Sequence, residues 1–223
     1  MKYRVLRKKT IFSKGPIHLV DCDIRMPSGK KLSRQILEHA GAVVILPRIA
    51  PSRYLLIRQF RFAAGTWIWE FPAGGIEKGE GLVRSANREL MEETGYRAGR
   101  WKRLIHFYPT PGISAEIMYL YLAEDLHPQK AAGDEDEEIE VHSFTLKEIG
   151  NMVRQGKIID AKTILGYYLL LEHSKNIRRR SFSKKKISWR SEKFFELTPS
   201  CRRFPVKFAQ SRCRPGIPYL RKY

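Results

Sequence analysis

The chain has 223 residues, 43% of them hydrophobic and 11% aromatic, with a formal net charge of +19. That suffices for one medium domain with an extension, or two small domains, and excludes a wholly disordered chain. No apolar run approaches the roughly 18 residues that span a bilayer, and charges and a Gly-Pro pair interrupt the apolar stretch of the basic N-terminus, so neither a membrane span nor a signal peptide is expected.

The expected location is therefore cytoplasmic, with no membrane partner. Three cysteines, Cys22, Cys201 and Cys213, make no disulfide framework. Cys201 and Cys213 have no nearby histidine and poor zinc spacing, so reduced thiols are expected. The charge is uneven. Lys175–Tyr223 holds 16 Lys+Arg against 2 Asp+Glu, which is +14 of the +19.

In chain order, Gly41–Pro47 (GAVVILP) and Tyr54–Gln59 (YLLIRQ) are short apolar, β-branched runs that predict strands, with Pro47–Ser52 as the turn. Trp67–Phe71 predicts another extended segment. The Gly- and Pro-rich PAGGIEKGEG that follows predicts a loop. Leu82–Thr94 predicts a helix stopped by Gly95. Leu104–Tyr108 and Ile117–Leu122 predict strands flanking the turn Pro111-Gly112. Ala131–Glu138 (AAGDEDEE) is an acidic loop, Ile139–Thr145 a strand, and Leu146–Gln155 and Ala161–His173 helices. Strands and helices mixed in this way predict an α+β or α/β/α sandwich. From about Lys175 the composition shifts to basic clusters with scattered prolines and aromatics.

Within the first helix, Glu89 and Glu93 lie roughly 40° apart and Glu92 roughly 60° to the other side of Glu89, at about 100° per residue. All three project to one side, beside an apolar stripe of Leu82, Val83, Ala86 and Leu90. Like charges at this spacing repel. Two readings follow from the glutamates alone: a solvated acidic face, or a site for a hard divalent cation such as Mg²⁺. Arg88 precedes Glu89 and can neutralise a carboxylate from the preceding loop. Gly74, Gly75 and Gly79 let that loop pass close to a ligand.

The full string is Gly74-x5-Glu80-x7-Arg88-Glu89-Leu90-x-Glu92-Glu93-x-Gly95-Tyr96. It resembles the Nudix box at every defined position, with Tyr96 filling the last apolar one. The resemblance implies an α+β Nudix fold: a mixed β-sheet sandwiched between α-helices (α/β/α), with the box as loop–helix–loop. It implies metal ligands at Glu89 and Glu93, Glu92 as a further ligand or catalytic helper, and Glu80 as structural partner of Arg88. Gly74, Gly95 and Pro111 complete the structural positions.

Further matches are similar to ADP-ribose pyrophosphatases. Glu70-Phe71-Pro72-Ala73-Gly74 resembles their ELPAG stretch, which implies the Ala73 carbonyl as a metal ligand. Arg34-x3-Glu38-His39 and GAVVIL resemble that subfamily's opening. Gln59-Phe60-Arg61 is similar to its QYR segment. Pro111 lies sixteen residues after Gly95, and Ser114-Ala115-Glu116 follows it. The resemblance covers about Gln35–His173, weakly Met1–Ser33, and not the tail. It implies Mg²⁺-dependent hydrolysis of ADP-ribose to AMP and ribose 5-phosphate, with Mn²⁺ as an alternative ion. Arg34 and Arg61 would grip the phosphates, an assignment that suits the planar guanidinium fork, and Glu116 would orient the nucleoside side. In that subfamily a glutamate on a loop after the sheet is the base, and Glu135 matches it best, with Glu137 second.

The expected organisation is an N-terminal β segment over 1–38, serving dimerisation and substrate binding, a Nudix domain over 39–174, and a basic, poorly ordered tail over 175–223. A homodimer is implied, with Arg34 acting across the interface. Alternatives are another nucleoside diphosphate sugar or a dinucleotide as substrate, or a Nudix body whose tail binds nucleic acid weakly and without sequence preference.

Overall fold

The computed structural model describes residues 2–129 and 138–175. Glu135 and Glu137, Cys201, Cys213 and nearly all of the basic tail lie outside the described residues. Among those described, no helix is long and apolar enough to cross a membrane.

The N-terminal segment is a three-stranded antiparallel sheet, β1 (Arg4–Lys14), β2 (Ile17–Arg25) and β3 (Lys31–Glu38). Its inner strand β2 buries Val20 and Cys22, and Cys22 is a free thiol. Every residue of β1 is exposed, Val5, Ile11 and Phe12 included. Main-chain hydrogen bonds tie β3 to the rest: Leu37 N–H donates to the Ile113 carbonyl at 2.8 Å and Ala115 N–H to the Leu37 carbonyl at 2.9 Å.

The second sheet holds β4 (Ala42–Ala50), β5 (Arg53–Arg61), β6 (Thr66–Glu70), β7 (Ala73–Gly75), β8 (Tyr96–Phe107), β9 (Met118–Pro128) and β10 (Ile139–Thr145). The order is β10-β5-β4-β9-β8, with β4 and β9 parallel and the other pairs antiparallel. β4 and β5 pair only near their shared turn, at Arg48↔Tyr54 and Ala50↔Arg53. Beyond it, β6 pairs with β5 and β7 with β4. The segment 66–75 thus occupies the split between them.

Alternation along β4 sends side chains to two cores. Val43 and Ile45 pack with Ala86, Leu90 and Tyr121 under α1 (Leu82–Thr94). Val44 and Leu46 pack with Leu56, Phe71, Ile149, Tyr167 and Leu170 under α2 (Leu146–Arg154) and a third helix, α3, over residues 161–175. The result is the expected sandwich of a mixed sheet between helices.

Four local expectations need correction, the first being the turn expected over Pro47–Ser52, which shrinks to Pro51–Ser52 because β4 runs on to Ala50. The stretch read as loop contains β7, whose Ala-Gly-Gly is held as strand by pairing with β4 rather than by propensity. β8 starts at Tyr96, eight residues before the expected Leu104, because its first half pairs with β9 while exposing polar side chains. Val83 is 45% exposed and stands outside the helix's buried stripe. α2 begins with a capping box in which the Thr145 hydroxyl and the Glu148 carboxylate satisfy each other's backbone N–H.

Candidate active site

The buried face of α1 carries Ser85, Ala86, Glu89, Leu90, Glu93 and Thr94. Glu89 is 9% exposed and Glu93 8% exposed, which rules out a solvated acidic face. Gly95 ends the helix in the left-handed region at φ 72°, its N–H donating to the Met91 carbonyl.

Both carboxylates meet β7. The Ala73 N–H donates to Glu93 Oε2 at 3.0 Å. Gly74 lies so close to Glu89 that a Cβ there would overlap its carboxylate. The glycine is therefore required by close approach, here of a glutamate side chain, whereas the sequence suggested room for a ligand.

Arg88 organises the acids around it. Its Nη1 donates to Glu89 Oε1 at 2.7 Å and to Glu92 Oε2 at 3.0 Å, and its Nη2 to Glu80 Oε2 at 3.2 Å and to the Gly75 carbonyl at 2.9 Å. One guanidinium thus joins the pre-helix loop, β7 and two helix glutamates. Burial opposes the charged form of Glu80, but hydrogen bonds from Arg88 and from the Glu77 backbone outweigh it and hold the carboxyl below its ordinary range. Burial opposes the charge on Arg88, but Glu80 and Glu89 outweigh it and push the guanidinium up, so it is a permanent charge.

Among the described residues no three His, Cys, Asp or Glu side chains converge as a metal cage. What the chain offers is two nearly buried carboxylates beside the backbone of Ala73. This all-oxygen set suits a hard divalent cation that keeps most of its coordination sphere for water and phosphate. The Gly74 cradle, shaped to let Glu89 approach the backbone, agrees with that fit.

Arg34 is exposed on β3 and lines a cavity of about 540 Å³ with Tyr108, Pro111 and Ser114. Glu116 is half-buried, its N–H donating to Ser114 Oγ at 3.1 Å. Arg61 is placed differently from a bare phosphate clamp. Its Nε and Nη2 both bond Glu70, each at 2.8 Å, and Glu70 is 2% exposed. The Glu70 carboxylate also takes the Lys162 ammonium. Sequence reasoning missed Glu70's pairing, Lys162, Thr163 and Asp160. The only local signal was Asp160, three residues before Thr163 at a helix start. Of the acidic segment, the described flanks are fixed: Gln129 N–H donates to the Gly95 carbonyl at 2.8 Å, and Ile139 pairs with Gln59.

A family model, the NUDIX domain, matches residues 38–165. The chain is 38% identical over 165 residues to an ADP-ribose pyrophosphatase of Bacillus subtilis (strain 168), covering 73% of this chain and 89% of that protein. It is 35% identical over 174 residues to a methanol dehydrogenase activator of Bacillus methanolicus, 77% and 94% covered. It is 39% identical over 143 residues to a GDP-mannose pyrophosphatase of Cronobacter sakazakii, 60% and 72% covered. A crystal structure of an ADP compounds hydrolase superposes with a TM-score of 0.69 at 24% identity, covering 79% of this chain and 96% of its own, which establishes the shared fold. The chain belongs to the Nudix hydrolase family. Enzymes of this family generally use a divalent metal ion.

Proposed function

We propose that this chain hydrolyses the diphosphate of ADP-ribose, giving AMP and ribose 5-phosphate, with Mg²⁺ as its metal and Mn²⁺ as an alternative. The observation that carries the chemistry is the pair Glu89 and Glu93, nearly buried and held against Ala73 and Gly74. The likeness to the Bacillus subtilis ADP-ribose pyrophosphatase over most of both chains supports the substrate.

Glu89, Glu93 and the Ala73 carbonyl would hold the cation. A divalent ion there supplies neutralisation of phosphoryl charge and a more acidic water. Arg88 fixes the orientation of Glu89 and Glu92 and so keeps the carboxylates from relaxing apart. Glu135 takes the proton of the attacking water, with Glu137 as the second candidate. The flanking positions support this reading, since Gln129 is bonded at the C-terminal end of α1 and α1 touches β10. Arg34 grips phosphate from the β3 cavity, and Glu116 orients the nucleoside side. Arg61 contributes charge through a guanidinium that Glu70 holds in one plane.

The chain works as a homodimer joined through residues 1–38. The exposed apolar side chains Val5, Ile11 and Phe12 on β1 support this, because a strand with no buried residue gains little from its own subunit.

A second reading, another nucleoside diphosphate sugar, is favoured by the GDP-mannose pyrophosphatase relative. Mass spectrometry of products from a panel of nucleoside diphosphate compounds with Mg²⁺ tests both. The expected result is AMP and ribose 5-phosphate from ADP-ribose at the highest kcat/KM. Faster turnover of GDP-mannose would replace the substrate assignment, and turnover of none would refute the reading.

A further inference from the structure

Phe71 and Pro72 join β6 to β7 and set where Ala73 and Gly74 meet the carboxylates of α1. Phe71 is gripped by the start of α3, whose body packs on the face of the sheet opposite α1, and the Pro72 carbonyl accepts the Ile45 N–H of β4 at 2.8 Å. The Phe71 N–H donates to Thr163 Oγ1 at 2.8 Å in a buried bond, and Thr163 is 0% exposed. The Thr163 hydroxyl donates in turn to Asp160 Oδ2 at 2.6 Å. The same oxygen accepts the Thr163 N–H at 2.9 Å, so Asp160 caps α3. One residue earlier on β6, the Glu70 carboxylate takes the Lys162 ammonium, which also lies 3.1 Å from Asp160 Oδ1. Arg61 closes the other side of Glu70.

Two acids and two bases make this cluster formally neutral. A buried ion cluster stabilises a fold no better than apolar packing of the same volume, so stability alone does not account for it. It does supply direction. The Thr163 hydroxyl holds the Phe71 N–H and the ion pair holds the Glu70 carboxylate, while the Asp160 cap orients that hydroxyl, and Pro72 transmits the placement with a restricted φ. The next N–H, that of Ala73, meets Glu93, and the next Cα, that of Gly74, backs Glu89.

We propose that Thr163, assisted by Asp160 and Lys162, is a positioning residue for the metal-holding segment: it anchors Phe71 so that Ala73 and Gly74 stand at the right depth against Glu93 and Glu89. The proposal rests on the reading of those glutamates as metal ligands. Thr163 touches neither metal nor substrate and acts through the backbone of residues 71–74. The interaction resembles an outer-shell contact to a metal ligand, made here from the far side of a sheet.

The test is Mn²⁺ binding to the full chain, followed by the electron paramagnetic resonance signal of free Mn²⁺, with thermal unfolding in chelator measured beside it. Thr163→Val keeps the shape and removes the hydroxyl. It is expected to raise the Mn²⁺ dissociation constant about tenfold or more, and Thr163→Ser, which keeps the hydroxyl, is expected to restore it. A lowered melting temperature with unchanged Mn²⁺ affinity in Thr163→Val would overturn the proposal, since a merely structural residue behaves that way. If Thr163→Val does not fold, Asp160→Asn carries the same comparison, with weakened affinity expected and unchanged affinity overturning. Glu93→Gln separates the two readings. Affinity lost there but kept in Thr163→Val sinks the positioning role alone. Affinity kept in Glu93→Gln sinks the metal assignment and the positioning role with it.

Discussion

Replacing Gly74 with alanine tests the site at its tightest point. Gly74 does not occupy the left-handed region, so its backbone accepts an alanine. The added methyl would land on the Glu89 carboxylate, whose carbon and two oxygens are the atoms nearest to it. The carboxylate must retreat by roughly 1 Å or more to reach ordinary contact. It is the far end of a flexible side chain, so the fold has an inexpensive response, and stability should change by no more than about 1 kcal/mol. The active site has no such response, because Glu89 would leave its place beside Ala73. A misplacement of about 1 Å costs on the order of 100-fold in rate. Gly74→Ala should therefore melt within a few degrees of the parent while kcat/KM for ADP-ribose falls about 100-fold. Titrating Mg²⁺ at each substrate concentration would show the loss as a raised metal requirement. Unimpaired turnover would refute the placement of Glu89. A collapse in melting temperature would refute the argument that only the carboxylate yields.

Glu135→Gln should lower kcat more than it changes KM, because the group acts only in the transition state; full activity there with loss in Glu137→Gln would move the base two residues along. Glu70 tests the pH response. Burial pushes its carboxyl up, but bonds and charges from Arg61 and Lys162 outweigh that and hold it below the ordinary value. Its stabilisation is thus fully present above the unfolded-state pKa of about 4.3 and is lost as pH falls through the lower folded value. Glu70→Gln should cost about 2 kcal/mol at neutral pH by removing one of the two acids that hold Lys162, and the deficit against the parent should shrink in melts taken below about pH 4; a pH-independent deficit would count against the ion pair. Truncation after Ser174 should leave ADP-ribose hydrolysis largely intact while abolishing a weak, salt-sensitive, sequence-independent binding to RNA or DNA, checked by titration at two salt concentrations. A truncated chain that cannot hydrolyse would show that residues beyond 174 are needed by the enzyme.

The parts of the fold legible in the sequence share one property: their signal is local. β4, β5 and α1 announce themselves because each buries a periodic set of apolar side chains against one or two faces. The box is legible for the same reason, since Gly74 through Tyr96 brings loop, arginine and glutamates together within one short stretch. The strands that were missed or shortened bury little. β1 buries nothing, and the first half of β8 exposes Arg97, Gly99 and Arg100 at the sheet edge. A strand that buries one small side chain, Ala98 in β8, or none, as in β1, leaves little alternation to read. β7 is shorter than any periodicity can register, and only the parting of β4 from β5 makes it a strand.

The cluster under the metal-holding segment lies beyond local reading for a different reason. Lys162 and Glu70 are 92 positions apart, as are Thr163 and Phe71. In sequence, Asp160, Lys162 and Thr163 read as the polar start of an amphipathic helix, and Glu70 as an acid between two aromatics. Each is ordinary alone. They become informative only once β6 lies in the split between β4 and β5 and the start of α3 reaches it. The helix that supplies the carboxylates could be read from one turn to the next. The grip that sets their partner strand at the right depth depends on residues that only the folded topology brings together.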